Sequence, residues 1–298
     1  MDKLVYLFFI VCKIVLIVLH LVIPDRGFFR HKLKFAVENK LIFNPRVKRN
    51  YKVKPQLRGK FEVIRYFTSD SVKLYGWFLE PKEGMPVVLF CPGQSESIAK
   101  WQNVMIFLEK LGFGALFLSY RGHYKSAGLP SEQGIYADAD AAIEFLKMRG
   151  IGEKKIISWG RSLGSSVAAE LAVRHDLLGV IMESSICDIQ KAAISLGGYR
   201  LDSCGLGALK KPVASWFSRM NFIQLFDNSK KVPLIKTNGL LVCSKNDLKI
   251  PYEISLYLHS LNPKLDLFVC EEGSHETNDW ALEKIESYLK ELTQSIVS

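Results

Sequence analysis

The sequence predicts an α/β fold with a mostly parallel twisted sheet, helices on both faces, an N-terminal membrane helix and a cap insertion. Apolar strand-like runs alternate with helix-like stretches from residue 86 onward, a rhythm typical of a parallel sheet. Residues 4–23 form an almost unbroken apolar run, and residues 187–237 separate two strand-like runs by about 50 positions, more than a crossover helix needs. We therefore expect an anchor at 1–24, a basic linker at 25–60 and a globular domain at 61–298.

The globular region is expected to begin with an antiparallel hairpin, because residues 61–67 and 73–79 are rich in aromatic and β-branched side chains. The strand-like runs that follow lie at 86–91, 115–120, 155–159, 179–183, 239–243 and 265–270. The predicted helices lie at 97–111, 131–148, 163–174, 251–260 and 276–296. Four glycines are expected to loosen the middle of the insertion: Gly197, Gly198, Gly205 and Gly207.

The positive charge of the chain lies in its N-terminal part. The net charge is +10, but residues 1–60 contain 14 Lys and Arg against 3 Asp and Glu, whereas residues 61–298 contain 26 against 27. The globular region therefore gives no basic face for nucleic acid. The six cysteines form no C-x-x-C pair or metal-ligand spacing, so we expect reduced thiols, no metal and no cofactor.

The apolar run at residues 4–23 is long enough to cross a bilayer as a helix. Sixteen of its residues are Leu, Ile, Val or Phe, and together they favour insertion by about 5–9 kcal/mol. Lys13, near the centre, opposes insertion by about 3 kcal/mol. We expect an uncleaved anchor. The alternatives are a signal peptide, for which the residues after Pro24 offer no suitable cleavage site, and a helix lying in the membrane interface.

Basic residues after this run predict its orientation. Five lysines and arginines lie between residues 26 and 40, against Lys3 before the run. The positive-inside rule then places the globular domain in the cytoplasm. The basic stretch at 46–60 is expected to contact anionic headgroups, the alternative being a solvated charged linker.

The motif Gly160-Arg161-Ser162-Leu163-Gly164 joins a strand-like run to a helix rich in small residues. A tight strand–turn–helix of this kind holds its serine in a strained backbone conformation that exposes the hydroxyl. Glycine suits positions 160 and 164 because a side chain there would meet neighbouring backbone. Ser162 is therefore the predicted nucleophile, and a helix-capping serine is the alternative.

A nucleophilic serine needs a base and a carboxylate that orients the base. His275 follows the last strand-like run, at the sheet edge where Ser162 is expected, whereas His123 precedes the serine and is better explained as a turn residue. Asp247 follows the run at 239–243 and is the predicted acid, with a turn-stabilising aspartate as the alternative. The chain order Ser162, Asp247, His275 is that of one known superfamily.

Backbone N–H groups are expected to stabilise the oxyanion that forms when the serine attacks. Leu163, directly after the nucleophile, is one predicted donor. Gln94 is the other, since it lies in the loop after strand 86–91, where Pro92 has no N–H. In the 187–237 insertion, apolar side chains are predicted to line a lid over the substrate, or alternatively to pack on the sheet: Trp216, Phe217 and Met220.

These motifs resemble the α/β-hydrolase superfamily, and more narrowly its membrane-anchored serine hydrolases, which include Bem-type esterases and protein depalmitoylases. The resemblance covers roughly residues 60–298. It rests on Gly-Arg-Ser-Leu-Gly at 160–164, the loop at 120–132, Phe-Asp-Asn at 226–228 and Ser-Lys-Asn-Asp at 244–247 with Pro251. It implies a triad of Ser162, Asp247 and His275. The chain departs from the family at Pro92-Gly93-Gln94, where the family commonly has His-Gly-Asn.

The sequence thus predicts a membrane-anchored serine hydrolase that cleaves carboxylic esters or thioesters of long-chain acyl groups, such as lysophospholipids or acylated proteins. The expected partners are this acyl substrate and membrane lipid, without nucleic acid. A serine peptidase of the same fold and a catalytically silent membrane scaffold are the alternatives.

Overall fold

The computed structural model describes residues 52–94, 96–219, 221–275 and 279–297, together with residues 32, 35, 36, 38, 39, 42 and 43. The predicted anchor at 1–24, much of the linker and Met220 lie outside these residues. Within the described part, none of the helices combines the length and the hydropathy needed to cross a membrane.

One eight-stranded sheet organises the described residues, in the order β1-β2-β4-β3-β5-β6-β7-β8. The strands are β1 Glu62–Phe67, β2 Lys73–Leu79, β3 Val87–Cys91, β4 Gly114–Ser119, β5 Ile156–Arg161, β6 Gly179–Glu183, β7 Asn238–Ser244 and β8 Asp266–Cys270. The pairs β1–β2 and β2–β4 are antiparallel, and all other pairs are parallel. The predicted hairpin and the mostly parallel sheet are therefore both confirmed.

The α-helices of the described residues follow the strands in the predicted alternation. They are α1 Gln102–Leu111, α2 Glu132–Met148, α3 Leu163–Arg174, α4 Ile189–Ser203, α5 Lys210–Ser218, α6 Asn228–Lys231, α7 Glu253–Leu261 and α8 Asp279–Val297. Ser131 accepts a hydrogen bond from the Gly134 N–H at 3.1 Å, which is why α2 begins where the sequence predicted it.

The central strands are buried on both faces because helices cover the sheet from both sides. Every residue of β3, β4, β5 and β6 is buried. Successive residues of β3 enter different clusters: Leu89 packs with α2 on one face, while Phe90 packs against Trp159 and Trp101 on the other. Such alternation is what a period-two strand produces between two helical layers.

The insertion between β6 and β7 is a helical hairpin of α4 and α5, followed by the single turn α6. The expectation that glycines loosen its middle was wrong for Gly197 and Gly198, which lie inside α4. A Cβ on Gly197 would lie 3.4 Å from the Phe217 ring, so the small residue lets α5 pack closely on α4. Whether this hairpin acts as a lid stays a prediction.

Part of the predicted linker packs on the domain. Glu38 is buried, and its carboxylate accepts hydrogen bonds from the backbone N–H groups of Ile223 (2.9 Å) and Gln224 (3.2 Å). Phe43 is also buried, with its ring centre 5.9 Å from that of Phe226. The segment before the sheet therefore holds the chain that returns from the insertion.

The strand order reverses direction at β3. The chain runs from β3 outward to β4 and then returns to β5 on the other side of β3. In open α/β sheets the crevice at such a reversal, outside the carboxyl ends of the strands, is where ligands bind. The loops that leave β3 and β5 carry Gln94 and Ser162, so both predicted groups lie beside this crevice.

Candidate active site

Ser162 lies in a sharp turn between β5 and α3. Its backbone has φ 53° and ψ −119°, a left-handed φ that is uncommon for a residue with a side chain. A Cβ on Gly160 would lie 2.0 Å from the Gly164 carbonyl oxygen, and a Cβ on Gly164 would lie 2.0 Å from the Cys91 carbonyl oxygen. Both positions therefore require glycine, and the turn rests directly on the loop after β3.

Two hydrogen bonds secure this turn from the side of the insertion. Ser165 Oγ donates to the Ser162 carbonyl oxygen at 2.6 Å, and Asn228 Nδ2 donates to Ser165 Oγ at 3.2 Å. Asn228 also donates to the Ile186 carbonyl oxygen at 2.8 Å. The conformation of the turn is thus linked to both ends of the insertion. The only sequence signal for Asn228 was its place in the Phe-Asp-Asn motif at 226–228.

Asp247 and His275 come from the loops after β7 and β8, which are fastened to each other. Asn246 Nδ2 donates to the Glu271 carbonyl oxygen at 2.9 Å, and Ser244 Oγ donates to the Glu272 carbonyl oxygen at 3.3 Å. Since β7 and β8 are parallel neighbours, both loops leave the sheet at the same edge.

The structure brings Asp247 and His275 into direct contact. The distance between Asp247 Oδ2 and His275 Nδ1 is 2.7 Å. The other carboxylate oxygen accepts from the backbone N–H groups of Lys249 and Ile250, each at 2.9 Å. Burial of the Asp247 carboxyl opposes its ionisation, but the hydrogen bond from His275, the charge of that ring and the two backbone donors outweigh burial and lower its pKa. An ionised Asp247 accepts from Nδ1–H and leaves Nε2 as the basic nitrogen.

Ser162 lies at the same edge of the sheet, separated from the Asp247 loop by β6. Among the described residues, no hydrogen bond joins the Ser162 hydroxyl to the His275 imidazole. The structure therefore joins the predicted acid to the predicted base, and the contact between base and nucleophile stays a prediction.

The two predicted oxyanion donors belong to the loop after β3 and to the first residue of α3. Leu163 begins the twelve-residue helix α3, whose N-terminal N–H groups carry partial positive charge. Gln94 follows Gly93, and a Cβ on Gly93 would lie 3.2 Å from the Arg161 carbonyl oxygen. The loop after β3 therefore packs against the end of β5 just before Ser162. The role of these two backbone groups as donors stays a prediction.

A buried charged cluster lies beside the turn, and the sequence analysis did not predict it. Arg161 is fully buried and pairs with Glu96, and its Nε lies 3.5 Å from a carboxylate oxygen of Glu183. The available signal was a charged residue at the end of a strand-like run: Arg161 lies two positions after the run at 155–159, and Glu183 is the last residue of the run at 179–183. No local pattern predicts that Glu96 joins them.

His123 is buried in the loop after β4. Its Nδ1 lies 3.2 Å from the Arg121 carbonyl oxygen, and burial lowers its pKa. Arg121 itself pairs with Asp138 at 2.7 Å and with Asp70 at 2.8 Å. These contacts fix the loop, as expected for a turn histidine.

Trp216 and Phe217 lie in α5 and are half-buried. Their ring centres are 4.9 Å apart, and Gln190 in α4 donates a side-chain hydrogen bond to the Phe217 carbonyl oxygen at 3.2 Å. Phe217 therefore fastens α5 to α4, and Trp216 packs on Phe217 within α5. The contact of both residues with a substrate stays a prediction. Met220 lies outside the described residues. The described part of the chain contains no cluster of three or more His, Cys, Asp or Glu residues arranged to hold a metal ion.

Known proteins are similar to this chain in sequence and in fold. A family model described as serine aminopeptidase, S33, matches residues 82–264. The α/β-hydrolase domain-containing protein WAV2 of Arabidopsis thaliana is 34% identical over 167 residues, which cover 53% of this chain and 54% of WAV2. The protein bem46 of Schizosaccharomyces pombe is 29% identical over 138 residues, 44% of this chain and 46% of bem46. The chain thus spans about half the length of these curated relatives.

Among solved structures, an esterase of Pyrococcus furiosus superposes with a TM-score of 0.69 at 21% identity, covering 85% of this chain and 98% of that chain. At this identity the likeness shows the fold alone. The family model, by contrast, matches more than half of the chain and includes the turn at Ser162. The chain therefore belongs to the α/β-hydrolase family whose model is described as serine aminopeptidase, S33.

Proposed function

We propose that the chain is a membrane-anchored serine hydrolase that cleaves carboxylic esters or thioesters of lipid-like acyl groups. The observation that carries the proposal is the 2.7 Å contact between Asp247 and His275, at the sheet edge where Ser162 occupies a strained turn. A serine, a buried carboxylate and an imidazole in this chain order are the parts of an acyl-transfer site.

In the proposed mechanism, His275 Nε2 accepts the proton of Ser162 as the hydroxyl oxygen attacks the acyl carbon. Asp247 holds the ring through Nδ1 and stabilises the imidazolium that forms. The N–H groups of Leu163 and Gln94 donate to the oxyanion of the tetrahedral intermediate. His275 then protonates the leaving alcohol or thiol as its bond to the acyl carbon breaks. Water next attacks the acyl-enzyme while His275 accepts the water proton, and His275 returns a proton to Ser162 as the bond between the acyl carbon and the serine oxygen breaks.

The apolar insertion supports an acyl substrate. From residue 193 to residue 219 no residue is buried, although α5 contains Val213, Trp216 and Phe217. The apolar side chains of this hairpin therefore keep accessible surface that an acyl chain can cover. Burial of each methylene contributes about 0.8 kcal/mol to binding.

Fluorophosphonate labelling tests the nucleophile. The full chain is expected to be labelled, and Ser162→Ala to lose labelling completely, since the probe phosphonylates an activated serine. Ser203→Ala is the matched control, because Ser203 is an exposed serine in α4 that bonds only its own helix. Equal labelling of wild type and Ser162→Ala, or no labelling of either, would contradict the proposal.

Esters of increasing length test the substrate class. On p-nitrophenyl esters, kcat/KM is expected to rise from acetate to medium and long chains. A sharp preference for acetate would exclude the lipid-like substrate but not the proposed serine hydrolase activity.

The description of the matched family model favours a second candidate function, a serine peptidase. Faster turnover of aminoacyl amides than of matched esters would select it.

The anchor belongs to the same proposal and rests on the apolar run at residues 4–23 and the basic residues after it. The full chain is expected to resist extraction from membranes by alkaline carbonate. Added protease is expected to digest the domain on the cytoplasmic side of intact vesicles. Release into the carbonate supernatant would exclude a spanning helix.

A further inference from the structure

Arg161, the residue before the predicted nucleophile, is buried within a set of charged and aromatic partners. Its Nη1 donates to Glu96 Oε1 at 3.0 Å, and its guanidinium carbon lies 4.7 Å from the centre of the Trp101 ring. Its Nε and Nη2 have no hydrogen-bond partner within the described residues. Because an uncompensated buried charge is costly, Arg161 depends on Glu96 and on Glu183, whose carboxylate lies 3.5 Å from Nε.

The same Glu96 carboxylate also holds the loop that carries Gln94. Its Oε2 accepts a hydrogen bond from the Gly93 N–H at 2.8 Å and from Trp101 Nε1 at 3.1 Å. The packing here is tight, since a Cβ on Gly93 would lie 3.0 Å from Oε2. One oxygen therefore binds the loop after β3, and the other binds β5 at the residue before Ser162.

The opposite side of Arg161 is tied to the turn through Glu183. Trp159 Nε1 donates to Glu183 Oε2 at 3.1 Å, and the Glu183 carbonyl oxygen accepts the Ser162 N–H at 2.9 Å. A continuous chain of contacts thus runs from Gly93 through Glu96, Arg161 and Glu183 to Ser162.

We propose that Glu96 is a positioning residue of the oxyanion hole, which fixes the Gly93–Gln94 backbone relative to Ser162 by binding Gly93 and Arg161 with one carboxylate. The inference rests on the proposed function. Hydrogen-bond donors must lie about 2.7–3.1 Å from the oxyanion to stabilise it. A loop released from Glu96 would shift its amide out of this range, while substrate binding elsewhere in the site would be unchanged.

The test is Glu96→Gln in the full chain. A glutamine has one acceptor oxygen, so it cannot serve both Gly93 and Arg161, and it removes the charge beside the guanidinium. Active sites are counted by titration with a fluorophosphonate, and kcat and KM are measured on a short p-nitrophenyl ester. We expect kcat per titrated site to fall about 10–100-fold, less than the loss of a whole donor, with KM within about threefold.

A trifluoromethyl ketone gives a second readout, because its adduct with a serine carries an oxyanion. Its affinity is expected to fall by about the same factor as kcat. A role in folding alone would reduce the number of titratable sites and leave kcat per site unchanged. Glu109→Gln is the matched control: it removes an ion pair to Lys60 (2.8 Å) at the far end of α1 and is expected to keep wild-type kcat.

If Glu96→Gln does not fold, Gly93→Ala is the second test of the positioning role of Glu96. The added methyl group would lie 3.0 Å from Glu96 Oε2 and 3.2 Å from the Arg161 carbonyl oxygen, so it pushes the loop away from both without changing any charge. A loss of kcat per site in the same direction is therefore expected. Wild-type kcat per site in a folded Glu96→Gln, or failing that in Gly93→Ala, overturns the inference alone. A wild-type chain that does not react with the fluorophosphonate overturns the proposed function and this inference together.

Discussion

At the scale of single residues, the neighbours that face a titratable side chain in this protein decide whether its charged form is stabilised. Asp247 is buried yet ionised, because His275 and two backbone N–H groups stabilise its charge. His175, which is half-buried, is the complementary case of a basic side chain held by two carboxylates. Its ring nitrogens lie 3.0 Å from an Asp140 oxygen and 3.2 Å from a Glu153 oxygen.

His175 is expected to make stability depend on pH. The hydrogen bond to Asp140, helped by Glu153, raises the pKa of His175 against the opposing effect of burial. A raised pKa in the folded state stabilises the protein fully below the unfolded pKa of about 6.5, and this stabilisation is lost as pH rises through the folded value. His175→Gln should therefore cost about 0.5–1 kcal/mol near pH 5.5 and little at pH 9.

Denaturant unfolding of the full chain in detergent at both pH values measures this difference. Asp140→Asn removes the stronger partner and is expected to reduce the same pH dependence, although it also removes the pair between Asp140 and Arg174. A constant difference between wild type and His175→Gln across this range would contradict the assignment.

The residue scale also shows what sequence could and could not predict. Ser162, Asp247 and His275 follow apolar strand-like runs in a known order, so their places at the sheet edge were predictable. The partnership of Glu96 with Arg161 was not, because it joins residues 65 positions apart and depends on side-chain geometry. For the same reason, no sequence pattern gives the distance between His275 and Ser162.

At the scale of elements, the turn between β5 and α3 is the most constrained feature of the structure. Position 160 faces the backbone of the turn itself, and position 164 faces the backbone of the loop after β3. Backbone atoms cannot move aside as a flexible side chain can, so only glycine fits at either position. The glycine spacing of the motif therefore predicted both constraints.

Gly160→Ala is expected to prevent correct folding of the turn. Its Cβ would lie 2.0 Å from the Gly164 carbonyl oxygen, and relieving this overlap should cost more than about 4 kcal/mol. Expression, circular dichroism and fluorophosphonate labelling measure the result. Gly152→Ala is the control just before β5, since no atom lies within 4 Å of its Cβ position. A labelled, fully folded Gly160→Ala protein would show that the turn can relax.

The insertion was the least predictable element. Its length and apolar residues indicated a cap, but its glycines suggested a loose middle, whereas Gly197 and Gly198 lie within α4. The reason is a tertiary contact: Gly197 admits the Phe217 ring, and helix packing overrides the low helix propensity of glycine.

At the scale of the whole molecule, the strand order places the predicted groups at one edge of the sheet. The sheet reverses at β3, so the loops after β3 and β5 flank one crevice, and the loops after β7 and β8 supply Asp247 and His275 at the same edge. The alternation of strands and helices predicted a parallel sheet. It did not predict that residues before the sheet pack on the domain, because Glu38 gave no signal apart from its charge.

Glu38→Gln is expected to destabilise the domain by about 1.5–3 kcal/mol, the range for hydrogen bonds to a charged group. The glutamine keeps one acceptor oxygen for the N–H groups of Ile223 and Gln224, but it loses the negative charge and places an NH2 group where Glu38 Oε1 now accepts from Ile223. Denaturant unfolding of the full chain in detergent measures the change. Asn39→Ala, which loses one neutral hydrogen bond from Gln224 (2.5 Å), should cost about 1 kcal/mol. Equal stabilities of Glu38→Gln and wild type would refute this role.

The tip of the α4–α5 hairpin divides the predicted site residues into two groups along the chain. Residues 202–206 are all exposed, and the chain there carries no strand of the sheet. Every predicted group of the oxyanion hole, with Ser162, precedes this tip, while Asp247 and His275 follow it. Under the proposed mechanism, two polypeptides divided at this tip would each lack part of the site, and recovery of the proposed ester hydrolysis would report their reassembly.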